Sequence, residues 1–178
     1  SGKYSHVAEV KSVPEKKFLP PKNVSIKLTS KPGIYGRTIK ITVPHIKQDI
    51  PLFILFKALG LESDKDIISA IVNDLDNPSN FEIIQLLKPS LEEANTIQTQ
   101  QLAMEYLTKY TVCTNQPKDI KIEKDKKISI VNDILTKEFL PHLGYSFKKK
   151  ILYTGLMVNK LLSAFVGKID YDDRDSYI

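Results

Sequence analysis

The chain has 178 residues, 42% of them hydrophobic and 26% charged, which is long enough to bury a core without a metal or disulfide staple. The apolar share excludes a disordered chain, and ten prolines with seven glycines exclude a collagen-like or low-complexity architecture. A single cysteine, Cys113, excludes an internal disulfide and any Cys-rich zinc or iron–sulfur site, and fits a reducing compartment.

The net charge of +5 is unevenly spread. Residues 1–50 carry 10 basic and 3 acidic groups, residues 51–117 carry 4 and 9, and residues 118–178 carry 12 and 9. A basic first third suits a face that meets polyanions, although a solvated lysine surface explains the same count. Arg37 and Arg174 are the only arginines. Lysine is a point charge without the bidentate fork that reads guanine edges, so any nucleic-acid contact should be to phosphate. The bias to Lys, Ile and Asn points to an AT-rich genome. The chain opens Ser1-Gly2 without an initiator Met or a secretory pattern, which is expected of a piece excised from something longer. The longest apolar stretch, Ile151 to Val166, is interrupted by Asn159 and Lys160 and is too short to span a bilayer.

In chain order, Tyr4 to Val13 alternates loosely as a strand closed by Pro14, and Pro20-Pro21 marks a loop. Val24 to Thr29 and Thr38 to Val43 alternate with period two. The turn chemistry of Lys31-Pro32-Gly33 and Gly36 lies between them, so they predict a hairpin whose wet face carries Lys27 and Lys40. After Pro51 the period becomes helical: Leu52 to Leu59 is apolar and ends at Gly60. Ser63-x-x-Asp66, Ser79-x-x-Glu82 and Ser90-x-x-Glu93 read as three capped helix starts, acidic outside and apolar inside. Gln98 to Lys109 predicts a helix with Leu102, Tyr106 and Leu107 inward; Asp125 to Leu140 predicts another, stopped by Pro141. Ser146 to Val166, ended by Gly167, predicts the longest helix, apolar around most of its circumference and therefore central. The expectation is one α+β domain over 1–178, with a basic β-rich portion at 1–50 and a helical body at 51–178.

Asp170-Tyr171-Asp172-Asp173-Arg174-Asp175 is the most enzyme-like stretch, because clustered carboxylates bind Mg²⁺. Arg174 in its midst opposes a cation, so an acidic turn or an ion pair within the protein is the better reading. His6, His45 and His142 are far apart without a ligand at i+3 or i+4, and Cys113 has no motif around it. Phosphate-binding glycine loops, nucleophile elbows and HExxH motifs are absent. Lys148-Lys149-Lys150 could meet phosphate; cations at a helix start oppose the dipole, which raises the case for an external anionic partner. Met157, Phe139, Tyr153 and Phe165 read as core. These residues describe a recognition or scaffold module with no catalytic constellation.

Several phrases occur in a fixed order: Ser5-His6-Val7-Ala8-Glu9-Val10-Lys11-Ser12, Arg37-Thr38-Ile39-Lys40, Ile46-Lys47-Gln48-Asp49-Ile50-Pro51 and Phe56-Lys57-Ala58-Leu59-Gly60. Lys88-Pro89-Ser90-Leu91-Glu92-Glu93, then Asp133-Ile134-Leu135 with Glu138-Phe139-Leu140-Pro141-His142, then Gly155-Leu156-Met157-Val158-Asn159-Lys160-Leu161-Leu162, and finally Asp172-Asp173-Arg174-Asp175 complete the series. Order and spacing together resemble the lobe domain of the second-largest subunit of eukaryotic-type multisubunit DNA-directed RNA polymerases, nearest to the nuclear enzyme II. The chain departs from the family pattern at Ser176-Tyr177-Ile178, where a histidine, an aromatic and a glycine usually follow. Asp125 interrupts a basic run, and Lys11 and Lys160 stand where Arg is usual.

The resemblance implies a non-catalytic part of a nucleotidyltransferase, with no cofactor of its own and with Mg and Zn elsewhere in the parent enzyme. It implies a wall of the DNA cleft near downstream duplex DNA. The implied partners are the largest subunit, a zinc-ribbon small subunit and an initiation factor IIF-like protein, with no membrane. The location would be the nucleus for a cellular enzyme, and host cytoplasm or virion for a large DNA virus. The DNA-facing candidates are Lys11, Arg37, Lys40 and Lys47; the acidic helices between Ser63 and Glu105 are expected to face protein. The alternatives are a free-standing nucleic-acid-binding adaptor or scaffold, and a metal-dependent nuclease using Asp170 to Asp175.

Overall fold

The computed structural model describes residues 3–12, 22–111 and 124–175, with side chains placed as far as Lys168. Cys113, Pro14 and Pro20-Pro21 lie outside the described residues, as do the side chains of Asp170 to Asp175.

Four strands form an antiparallel meander in the order β1 (Tyr4–Ser12), β2 (Lys22–Thr29), β3 (Ile39–Ile41) and β4 (Ile50–Pro51). The period-two pattern puts Val10, Val24, Ile26, Leu28, Ile39, Ile41 and Ile50 on one buried face. The predicted hairpin is present, but β3 pairs over only three residues; ladder bonds from Thr29 N to Thr38 O and from Thr42 N to Ser25 O extend it slightly. A register shift between Tyr4 and His6 sets Tyr4 opposite Thr29 and His6 opposite Leu28. The extra residue moves Tyr4 to the outer face, while His6 stays inward.

The helical body comprises α1 (Leu52–Ala58), α2 (Asp64–Val72), α3 (Phe81–Glu93), α4 (Gln100–Thr108), α5 (Lys124–Asp133) and α6 (Phe147–Asp175). Every residue of α1 is buried, and it stops where Gly60 takes φ 104°, a backbone that L side chains resist. Ser63 caps α2 as predicted, accepting from Asp66 N at 3.4 Å.

The other two predicted caps are corrected. Ser79 lies inside a 3₁₀ turn, Pro78–Asn80, and the Asn77 side chain is its cap. Ser90 does not start a helix: it is buried inside α3, which runs straight through Pro89. Its hydroxyl instead accepts from Ile39 N at 2.9 Å, satisfying an edge amide of β3 beyond the short β4. In α4, Leu102 faces out (40% exposed), and the buried stripe is Ala103, Met104 and Leu107.

The helix predicted over 125–140 splits. After α5 comes a π turn, Ile134–Glu138, closed by Phe139 N on Ile134 O at 2.9 Å. Pro141 cannot donate to Thr136 O, and the residue before a proline avoids helical backbone; Leu140 takes φ 47°. The carbonyls left over at Leu135 and Thr136 each accept from Lys150 Nζ at 2.7 Å. Lys150 is therefore fully buried, not phosphate-ready, and burial pulls its pKa down to about 8.

Helix α6 runs past Gly167 to Asp175, so the acidic run continues a helix and is not a turn. Gly155 lets α2 approach: a Cβ there would sit 2.3 Å from Ala70 O. The core side of α6 is Thr154, Val158, Leu161, Leu162 and Phe165, while Leu152 and Leu156 are about half exposed. The expectation that α6 is the enclosed centre fails on that stripe. Among the described residues, no helix is long and apolar enough to cross a membrane.

Candidate nucleic-acid interface

Outside the sheet, Lys3, Tyr4, Thr29, Lys40, Lys47, Gln48 and Asp49 line an open groove of ≈ 490 Å³. The β1 bulge places Tyr4 there, and the bend before β4 places Lys47 to Asp49, held by Lys47 N on Tyr110 O at 2.8 Å. The Tyr4 hydroxyl donates to Asp49 Oδ2 at 2.6 Å; burial and then the Asp49 carboxylate push the phenol up to about 12. Lys27 Nζ sits 3.6 Å from Asp49 and 4.9 Å from the Tyr4 ring centre.

The predicted wet face is therefore largely self-neutralised. Lys27 pairs with Asp49, and Lys40 pairs closely with Glu93 of α3. What remains is Lys3, over the Tyr4 ring at 5.5 Å, with Lys11 and Lys47, all exposed and without an acidic partner among the described residues.

The four sequence candidates do not form one patch. Lys40 and Lys47 share the groove. Lys11 is on the same outer face but seven residues along β1 from Tyr4, roughly 23 Å away. Arg37 lies toward α6, its guanidinium 5.2 Å from the Phe165 ring, and His6 meets the same ring edge-on at 5.2 Å. Burial, then Lys168 and Arg37, lower the His6 pKa. Sequence reasoning missed Lys3, Tyr4 and Asp49. The Lys47-Gln48-Asp49 motif marked one rim, but the bulge that turns Tyr4 outward left no signal in the alternation.

At the far end of the sheet, Glu138 of the π turn joins Lys22 at 2.8 Å and His45 at 3.6 Å. The Lys22 hydrogen bond holds its carboxyl below the usual range. His142 N donates to Ser12 Oγ at 3.1 Å, and that hydroxyl is 2.9 Å from His142 Nδ1. A serine beside a histidine invites a nucleophilic reading, yet Ser12 is 1% exposed and cannot meet a substrate. Among the described residues, no three His, Cys, Asp or Glu side chains come together as a metal site. The groove's chemistry is ammonium and amide donors set beside neutralised pairs, which suits weak contact with phosphate.

The family model for RNA polymerase Rpb2, domain 2, matches residues 22–178. The chain is 39% identical over 177 residues to DNA-directed RNA polymerase II subunit RPB2 of Encephalitozoon cuniculi, covering 98% of this chain and 14% of that protein. It is 37% identical over 182 residues to DNA-directed RNA polymerase II subunit 2 of Arabidopsis thaliana, covering 98% and 15%. It is 33% identical over 143 residues to DNA-directed RNA polymerase subunit Rpo2 of Saccharolobus solfataricus, covering 79% and 12%. The chain thus spans about one seventh of the length of its eukaryotic relatives. Matched over nearly its whole length, this chain belongs to the family of Rpb2 domain 2, the lobe of the second-largest subunit of multisubunit RNA polymerases.

Proposed function

We propose that this chain is a non-catalytic wall of a transcribing polymerase's DNA cleft and a docking surface for other subunits and initiation factors. The observation that carries the DNA part is the set of exposed lysines Lys3, Lys11 and Lys47, unpaired among the described residues, on the outer face of the sheet. Ammonium groups bind phosphate without base registration, which lets a duplex slide past. Lys40 and Arg37, held by Glu93 and Phe165, position the surface and do not lead the contact. Catalytic Mg and structural Zn belong to other parts of the parent enzyme, and its working place is the nucleus, a reading supported by eukaryotic relatives named RNA polymerase II subunits.

The test is duplex binding by fluorescence anisotropy across a salt series. Wild type should bind weakly, with affinity falling steeply with salt and indifferent to sequence. Replacing Lys3, Lys11 and Lys47 by Glu should flatten the logarithmic slope by about 3, about one unit per lost phosphate contact. A shallow slope with strong sequence preference, or a slope unchanged in the triple variant, would overturn the reading.

A further inference from the structure

Two like charges face each other across the sheet: Lys27 of β2 is registered directly opposite Lys40 of β3. Such a cross-strand pair is destabilising unless each ammonium finds a carboxylate. Lys40 takes Glu93 from α3, which belongs to the helical body. Lys27 takes Asp49, which is the only carboxylate among the described residues that line the groove with Lys3, Tyr4, Lys40 and Lys47. Both contacts of Asp49 fall on one oxygen, Oδ2: the Tyr4 hydroxyl at 2.6 Å and the Lys27 ammonium at 3.6 Å. A hydroxyl that close to an anionic oxygen is a charge-assisted donor. With its pKa pushed up to about 12, the phenol keeps that proton at neutral pH.

A hydroxyl and an ammonium converging on one oxygen, with exposed Lys3 and Lys47 along the same groove, are the donors that hold a phosphate oxygen. Here a carboxylate of the chain itself fills that place. The bend before β4 does not depend on this tie, because Lys47 N already donates to Tyr110 O at 2.8 Å and Ile50 is wholly buried. Nor is it a buried pair that folding must satisfy, since the Asp49 side chain is 29% exposed. We infer that Asp49 is an internal stand-in for phosphate. Its carboxylate occupies an anion subsite formed by Tyr4 Oη and Lys27 Nζ, and so keeps the groove's hold on a nucleic-acid backbone weaker than its lysines would make it. The inference rests on the DNA part of the proposed function and gives that surface a regulating residue. While Asp49 holds Lys27, that ammonium makes no phosphate contact and releases no counterion. With Asp49 neutralised, Lys27 and the phenol become free donors beside Lys3 and Lys47, and a passing backbone gains one more point of attachment. A duplex that must slide is served by the weaker grip.

The test compares the 178-residue chain with Asp49→Ala, which vacates the subsite, and Asp49→Asn, which removes the charge and keeps the shape. In chemical-shift titrations with inorganic phosphate, both variants should show saturable shifts at Tyr4 and Lys27 that wild type lacks. In the duplex salt series they should bind roughly threefold tighter or more at low salt, with a logarithmic slope steeper by about 1. Lys27→Gln added to Asp49→Asn should return the slope to the wild-type value, and Asp49→Glu should keep it there. Asp76→Asn, which removes an exposed carboxylate outside the groove, should leave the slope alone. An Asp49 that merely braces the fold would lower Tm and move neither the slope nor the phosphate shifts. Absence of phosphate-induced shifts at Tyr4 and Lys27 in both variants overturns the inference. So do equal shifts in wild type, or an equal change of slope in Asp76→Asn, which would assign the effect to net charge. A shallow wild-type DNA slope beside the expected phosphate shifts sinks the cleft-wall reading alone. A steep one beside absent shifts sinks the role of Asp49 alone.

Discussion

Ser12 and His142 are 130 residues apart in sequence, yet the buried Ser12 hydroxyl meets both the backbone N–H and Nδ1 of His142. One residue ends β1; the other sits in the 3₁₀ turn Pro141–Leu143 that follows the π turn. The bond ties the end of an edge strand to the helical body, and the His142 ring packs edge-on against Tyr153 of α6 at 5.4 Å. Ser12→Ala should therefore lower stability by about 1–2 kcal/mol, the usual cost of losing a part-buried hydrogen bond. In a chain of this size that is a fall of roughly 2–8 °C in Tm. An unchanged Tm in the alanine variant would show that the bond is incidental.

Ser90 gives a second, independent test of how β3 is held. Ser90→Ala gains only about 0.5 kcal/mol of helix propensity but leaves the buried Ile39 N–H without an acceptor, costing about 1–3 kcal/mol. The net effect should be destabilising in chemical denaturation. A variant as stable as wild type would mean that the amide finds another partner. The neighbouring Lys40–Glu93 pair is half-buried, so a double-mutant cycle should return a coupling of only about 0.5–1 kcal/mol.

Gly155 tests the crossing of α2 and α6. Alanine in a helix interior is normally better than glycine by about 1 kcal/mol. Here its Cβ would lie 2.3 Å from Ala70 O and 2.9 Å from the Ala70 carbonyl carbon, and backbone cannot swing aside as a flexible side chain can. Overpacking of this kind costs about 1–3 kcal/mol or more, so Gly155→Ala should be less stable than wild type in a thermal melt. A higher Tm would show that the two helices separate freely.

Lys150 predicts an unusual pH dependence. Its folded pKa is about 8, below the 10.5 of a free lysine, because burial disfavours the charged form. Between those values the unfolded chain binds the proton and the folded chain does not. Stability therefore rises with pH across that window, by at most about 1.4 kcal/mol per unit. Below about pH 8 both states are protonated and the contribution is flat, at its least favourable. Denaturant midpoints of wild type minus Lys150→Met, measured from pH 7 to pH 10, should climb above about pH 8. A difference that stays level would place the ammonium in contact with water.

Patterns local in sequence were enough for the first three strands but not for the two-residue β4, and enough for the apolar α1 closed by Gly60, the Ser63 cap and the lysine-dominated charge of the first third. Each depends on neighbours a few residues away: alternation, a positive-φ glycine, a cap reaching its own helix. The ordered motifs likewise carried the family. The motifs' physical purpose was not legible, because it lies in pairings across the chain. Ser90 looked like a cap but satisfies a strand amide 51 residues away, and Lys150 looked like a phosphate ligand but closes a π turn made by Pro141. Lys40 looked like a free surface cation until Glu93 arrived from α3, and α6 looked central all round until it was seen to leave Leu152 and Leu156 half exposed. Composition and period fix which residues want company. Only the packed fold decides which of them find it inside the chain, and so which lysines are left exposed on the surface.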